Sequence, residues 1–146
     1  MWRPLGECTG LVLGGGAIGL SAALILRSRG CRNVIVADTN ALRRNTAQAD
    51  QGFTAIDPIS KPPAESSFDL VIDAVGGKAT RIVASHAVKP GGVITHIGVQ
   101  DSNDGLDIRK LTLQEIMFIG TYTYTMVDFR ATVEALRSGA LGSLDW

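Results

Sequence analysis

The sequence predicts an α/β domain: six parallel strands in the order 3-2-1-4-5-6, with helices on both faces. Three observations carry this. Short apolar runs alternate with helical patterns at steady spacing along the 146 residues, as a parallel sheet with crossover helices requires. Residues 70–75 show no polar alternation except Asp73, which argues for a strand buried on both faces. A glycine-rich turn, Gly14-Gly15-Gly16, separates the first apolar run from the first helical pattern.

Composition fits one such domain. Hydrophobic residues make up 45% and charged residues 19% of the chain, which excludes a solvated disordered polymer. The length falls within the roughly 100–200 residues of one domain. Fourteen basic residues cancel fourteen acidic ones. That removes the field that drives sequence-independent binding to nucleic acid or anionic membranes. Cys8 and Cys31 are too few for a disulfide framework or a four-ligand zinc site, and read as reduced thiols of a cytoplasmic protein. Residues 8–26 are uncharged and follow Arg3, as in a spanning helix or signal peptide. Glycines in mid-helix would each cost about 1 kcal/mol relative to alanine. The stretch therefore divides into strand, turn and helix, and no membrane association is expected.

Strand one is Thr9–Leu13, stopped by glycines. The helix over 17–29 is apolar nearly all round and so has little solvent face. Arg27 and Arg29 suit its dipole, and Gly30 suits its C′ position. Strand two is Asn33–Ala37, ending at Asp38. A polar helix follows over 41–49, then a weak third strand over 53–56. Strand four spans 70–75, and a helix over 77–88 is ended by Pro90-Gly91-Gly92. Strand five spans 93–99. Gln100 leaves it, and Asp101, Ser102, Asn103, Asp104 and Gly105 form a polar loop. Strand six spans 117–122. The last helix has the sharpest local signals. Thr125 with Asp128 fits a capping box, Phe129, Val133 and Leu136 share one face, and Gly139 closes it. Pro58, Pro62 and Pro63 argue against a crossover helix between strands three and four. The gap across the sheet is about 14 Å, and about ten extended residues reach roughly 33 Å, so an extended crossover suffices.

Gly14, Gly16 and Gly19 fit G-x-G-x-x-G. Gly14 permits the tight turn, Gly16 lets a pyrophosphate approach the backbone, and Gly19 lets helix and strand pack closely. Amides near Ala17 and Ile18 then point at the anion, along the helix dipole. Asp38 stands at the end of strand two, where its carboxylate can accept hydrogen bonds from an adenosine ribose. Its charge repels a 2′-phosphate, which favours NAD over NADP. Arg43 and Arg44 either reach a phosphate or lie on a solvated helix face. A structural glycine turn with a surface aspartate is the competing reading.

Other candidates are plainer. His86 and His96 lack the spacing of a metal site or catalytic pair. Asp73 either hydrogen-bonds nearby amides or borders the cofactor crevice. Ser21, Ser85 and Thr95 lack a nucleophile-elbow context. No catalytic residue and no metal ligand is assigned.

Taken together, residues 11–20 (LVLGGGAIGL), 34–38 (VIVAD), 68–77 (FDLVIDAVGG), 88–99 (VKPGGVITHIGV) and 128–140 (DFRATVEALRSGA) resemble the nucleotide-binding domain of zinc-type medium-chain alcohol and polyol dehydrogenases. The resemblance covers about residues 10–142. It implies a Rossmann fold and NAD(P)-dependent oxidation of an alcohol to a carbonyl. It implies that Gly14, Gly16, Ala17, Ile18 and Gly19 meet the pyrophosphate, and that Asp38 with Arg43 holds the adenosine ribose. Ala74, Val75 and Gly76 would line the nucleotide crevice. Ile97, Gly98 and Val99, with Thr121 and Tyr122, would flank the nicotinamide. A homodimer joined near strand six is implied too, and the apolar edge of Met117, Phe118 and Ile119 favours pairing.

Family members are much longer. Their amino-terminal domain supplies the catalytic zinc that lowers the pKa of the alcohol, and often a structural zinc. Residues 1–146 are therefore expected to form a single NAD-binding domain, part of a longer enzyme, that binds NAD without turning over alcohol. Zinc is expected only in the missing catalytic domain. Two rivals stand beside this. An S-adenosylmethionine-dependent methyltransferase shares a glycine loop, an acidic end to strand two and a Lys-Pro-Gly-Gly stretch like 89–92. Its usual acidic residue just before the loop is absent here, where Leu11, Val12 and Leu13 stand, and no antiparallel last strand follows Tyr122. A non-enzymatic NAD-sensing module would need a partner domain.

Overall fold

The computed structural model describes residues 4–101 and 103–146; Arg3 and Ser102 lie outside the described residues. Six strands form one sheet: β1 (Thr9–Leu13), β2 (Asn33–Ala37), β3 (Thr54–Ile56), β4 (Phe68–Asp73), β5 (Val88–His96) and β6 (Met117–Gly120). Their order is β3-β2-β1-β4-β5-β6, and every neighbouring pair is parallel. The helices are α1 (Ala17–Ser28), α2 (Ala41–Asn45), α3 (Lys78–Ala87), α4 (Ile108–Leu113) and α5 (Met126–Arg137). The chain reverses direction across the sheet between β1 and β4, which is where open parallel sheets bind ligands.

Strand periodicity builds the core on both faces. Leu11 and Leu13 of β1 pack with Val71, Ile94 and the α3 residues Ala84 and Ala87. Val12, between them, packs the other way with Val36 and the α1 residues Leu20, Ala23 and Leu24. These β1 side chains are at most 2% exposed. One helix layer on each face follows directly.

Several sequence boundaries move. α2 ends at Asn45 and continues as a π-helical turn, Thr46–Asp50. α1 stops at Ser28, and α3 runs from Lys78 to Ala87. β4 begins at Phe68 and ends at Asp73, so residues 74 and 75 form a loop. Pro90-Gly91-Gly92 does not separate a helix from a strand: it lies inside β5. Val88 pairs with Phe68, the register shifts, and regular pairing resumes with Val93 opposite Leu70. A register shift is a place where a strand tolerates proline. β5 ends at His96 and β6 at Gly120, leaving residues 97–99 and 121–122 in loops.

α4 falls in a stretch that carries no strong periodic signal. Asp107 caps it by accepting the Lys110 N–H at 2.8 Å, and Leu111 anchors it in the core. Residues 57–67 cross from β3 to β4 without a helix. The α5 capping box is present, with Thr125 Oγ1 accepting the Asp128 N–H and Asp128 accepting the Thr125 N–H. Its apolar face is not covered, however: Phe129, Val133 and Leu136 stay 45–48% exposed. All four residues of β6 are exposed as well.

Candidate functional site

β1 delivers the chain to Gly14, which turns at φ +98°, a backbone conformation that side chains with a Cβ rarely adopt. The Gly14 N–H donates to the Ala37 carbonyl at 2.8 Å. α1 starts at Ala17, and its N-cap Gly16 offers no side-chain acceptor. The first-turn amides of Ala17 and Ile18 thus face outward without an intrahelical partner. A Cβ at Gly19 would overlap the Gly14 carbonyl, so turn and helix touch through backbone. A Cβ at Gly16 would meet nothing nearer than the Arg43 guanidinium carbon at 3.9 Å. Gly16 is therefore open to a close-approaching group.

Asp38 is 6% exposed, which excludes a plain surface aspartate. Its Oδ2 accepts the Gly15 N–H at 2.7 Å and its Oδ1 accepts the Asn40 N–H at 2.7 Å. Each carboxylate oxygen still has acceptor capacity. Arg43 Nη1 lies 3.6 Å from Oδ2, on a side chain that is 57% exposed. Arg44 instead donates to the Asp38 and Thr39 carbonyls, both at 2.8 Å. The two arginines thus have different tasks: one faces the glycine turn, the other fastens the backbone.

The loops after β4 and β5, expected to line the nucleotide crevice, pack against each other. Gly76 sits at φ +72°, and a Cβ there would overlap the Gly98 carbonyl. A Cβ at Gly98 would overlap the Val75 backbone. Ala74, Val75, Gly76, Ile97 and Gly98 are therefore one packed unit, with Val99 exposed at its rim. Asp73, fully buried, fixes it: Oδ1 accepts the Val75 and Gly76 N–H groups at 3.1 and 2.8 Å, and Oδ2 accepts the Thr80 hydroxyl at 3.0 Å. Its carbonyl accepts the Ile97 and Gly98 N–H groups. Of the two roles expected of Asp73, the structure shows the hydrogen bonds to nearby amides, made by a fully buried side chain. His96 Nε2 lies 3.6 Å from Asp73 Oδ2, and its ring rests 5.5 Å from that of Phe118. His86 is exposed, and buried Ser85 accepts the Asp107 N–H. Thr121 and Tyr122 follow β6, with Tyr122 exposed.

Sequence reasoning missed Arg81, which is 5% exposed. It donates to the Gly76 carbonyl, the Asp104 carbonyl and the Asp101 carboxylate. One signal could have found it: Arg81 shares a helix face with buried Ala84 and Ser85.

Other polar groups gather at the opposite end of the sheet. A cavity of about 590 Å3 there is lined by Cys8, Leu70, Lys89, Val93 and Met117 among others. Beside it Asp69 accepts the Thr9 N–H and hydroxyl and the Lys89 ammonium. Burial alone would raise the Asp69 carboxyl, but the Lys89 and Thr9 hydrogen bonds outweigh it and hold it at about 2. The Cys31 thiol donates to the Cys8 carbonyl at 3.4 Å; burial, with the Cys8 sulfur near, pushes it up. Among the described residues, no group of three or more His, Cys, Asp or Glu is placed to hold a metal, so zinc does not fit the residues present. No helix among them is long and apolar enough to cross a membrane.

Sheet order, glycine turn and the carboxylate ending β2 define a doubly wound α/β domain of the Rossmann class. The family model described as zinc-binding dehydrogenase matches residues 17–138, and the chain belongs to that family. It is 27% identical to a Saccharomyces cerevisiae protein named as probable diacetyl reductase ((R)-acetoin forming) 2, over 96% of this chain and 38% of that one. The alcohol dehydrogenase TADH from Thermus sp. ATN1 superposes with a TM-score of 0.84 at 26% identity, over 94% of this chain and 42% of that one. The acetophenone reductase of Geotrichum candidum, solved in complex with NAD, superposes with a TM-score of 0.84 at 24% identity, over 93% of this chain and 40% of that one. The chain thus spans about two-fifths of the length of these relatives. Family membership sets aside the methyltransferase rival.

Proposed function

We propose that residues 1–146 form the NAD-binding domain of a zinc-dependent alcohol or polyol dehydrogenase. The domain binds NAD(H) and does not by itself turn over alcohol. The observation that carries this is the contact between Asp38 and the glycine turn: one carboxylate braces the Gly15 amide beside an uncapped helix start. That arrangement fits a diphosphate on the helix end and a ribose on the acid. Gly14, Gly16, Ala17, Ile18 and Gly19 would receive the pyrophosphate. Asp38 and Arg43 would hold the adenosine ribose. Ala74, Val75 and Gly76 would line the crevice, and Ile97, Gly98 and Val99 would flank the nicotinamide.

When bound, the coenzyme supplies the hydride acceptor. The chain's own residues bind it, orient it and exclude water; the zinc ligands and the alcohol site belong to a domain outside these residues. The exposed apolar surface of β6 supports a homodimer, and the reading includes a cytoplasmic location. The names of the relatives support carbonyl–alcohol chemistry in the parent enzyme.

Titration with NADH and S-adenosylmethionine, followed by fluorescence, tests the reading. Saturable NADH binding without S-adenosylmethionine binding is expected, and the reverse would overturn it. Zinc-dependent alcohol oxidation by the purified chain would overturn the second half. A non-enzymatic NAD sensor would bind NADH equally well. The codons upstream in the parent gene separate the two, because a Cys/His-rich zinc domain there means a dehydrogenase.

A further inference from the structure

We propose that Arg81 is a positioning residue for the coenzyme, and that Asp101 is its partner: together they lock the two loops that wall the crevice. The inference rests on the dinucleotide reading above. Arg81 is buried in α3, yet its donors leave the helix and reach both wall segments. Nη1 donates to the Gly76 carbonyl at 2.9 Å, in the loop after β4. Nη2 donates to the Asp101 carboxylate and Nε to the Asp104 carbonyl, both in the loop after β5. The peptide around Gly76 is consequently held from two sides, its N–H by Asp73 and its carbonyl by Arg81.

Asp101 closes the circuit. Its own N–H donates to the Gly76 carbonyl at 3.2 Å, and its Oδ2 accepts the Lys78 N–H at 2.9 Å, at the start of α3. Val75 and Gln100 add a further backbone bond between the loops. A guanidinium at this depth is poor evidence of stabilisation, since desolvation consumes much of what pairing returns. An apolar side chain of similar volume would pack as well. What an apolar side chain cannot do is fix three acceptors from two loops in one plane, which the rigid fork of arginine does. The loop after β4 presents the residues expected to line the nucleotide crevice, and the loop after β5 those expected to flank the nicotinamide. Without the fork, the contact at Gly76 and Gly98 loses its outer clamp and the wall can spread.

The experiment uses the whole 146-residue chain, with Arg81→Met, Arg81→Lys and Asp101→Asn. NADH affinity, the emission maximum of bound NADH at saturation, and thermal midpoints are measured for each. Arg81→Met is expected to bind NADH about tenfold more weakly, the order of one lost charge-assisted hydrogen bond. Its bound NADH should emit further to the red than in the unsubstituted chain, because the ring is less enclosed. Arg81→Lys should recover part of the affinity, and Asp101→Asn should lose less than Arg81→Met. A lower thermal midpoint with unchanged affinity and emission would make Arg81 a brace only and overturn the proposal. If Arg81→Met fails to fold, Asp101→Asn decides, since that carboxylate is 46% exposed; unchanged affinity and emission there overturn the clamp. No saturable NADH binding by the unsubstituted chain would overturn the dinucleotide reading itself, and the clamp with it.

Discussion

Asp38 carries two loads at once. It braces the Gly15 and Asn40 amides, and in the proposed complex it also receives the ribose. Asp38→Ala should therefore weaken NADH binding and narrow the preference over NADPH, because the charge that repels a 2′-phosphate is gone. Paired titrations with both reduced coenzymes check this. Asp69 gives a cleaner electrostatic prediction. Its carboxyl is held at about 2, below the ordinary 3.8. A depressed carboxyl stabilises the fold fully above the unfolded value and loses that contribution as pH falls through the folded one. The Lys89 and Thr9 contacts together are worth on the order of 2 kcal/mol near neutrality, of which Lys89 supplies a part. Lys89→Met should lower the urea midpoint at pH 6, and the difference from the unsubstituted chain should fade between about pH 4 and pH 2. At this scale the sequence was legible where partners are close in the chain or belong to a spaced motif, as with Gly14, Gly19 and Asp38. Arg81 and Asp101 stand twenty residues apart, and nothing short of the folded loops puts them together.

Elements with their own punctuation could be located from the sequence. β1 and β2 stand within their expected bounds because glycine stops one and Asp38 follows the other. The capping box starts α5 where Thr125 and Asp128 require it. Thr125→Ala should cost about 1 kcal/mol of helix stability. Because α5 has no buried residue, the loss should show as faster amide exchange in its first turn, with little change in the global unfolding midpoint. Elements without such marks were harder. Ile97 and Val99 read as strand because they are apolar, yet the chain leaves the sheet at His96 so that Ile97 and Gly98 can both donate to the Asp73 carbonyl. α4 is held by one aspartate cap and a buried leucine, too little to rise above a polar loop by pattern alone. Proline and glycine inside β5 are explained only by the register shift against β4.

Across the whole molecule, the alternation of runs and helices was enough to predict a parallel sheet covered on both faces; the order of its strands followed from the Rossmann class that the glycine turn and Asp38 mark. The apolar edge and the apolar α5 face that the sequence marks are both left open in the structure. Met117, Phe118 and Ile119 on the edge strand are 38–44% exposed, and the α5 face is open as well. Such surface supports the proposed dimer. Ile119→Lys should shift the chain to monomer in sedimentation velocity at high concentration while leaving NADH binding intact. A chain that is already monomeric before the change would remove the dimer from the proposal.

The meeting of Gly76 and Gly98 has a consequence for what variation this protein can bear. Where two large residues collide, a smaller one opposite makes room. Here both partners are already reduced to a hydrogen, so a methyl at either has no counterpart left to shrink. Relief would have to come from shifting main chain that Asp73 ties on both sides. Under mutagenesis with selection for a working fold, these two codons should stay frozen while neighbouring Val99 and Tyr122, out in solvent, drift freely.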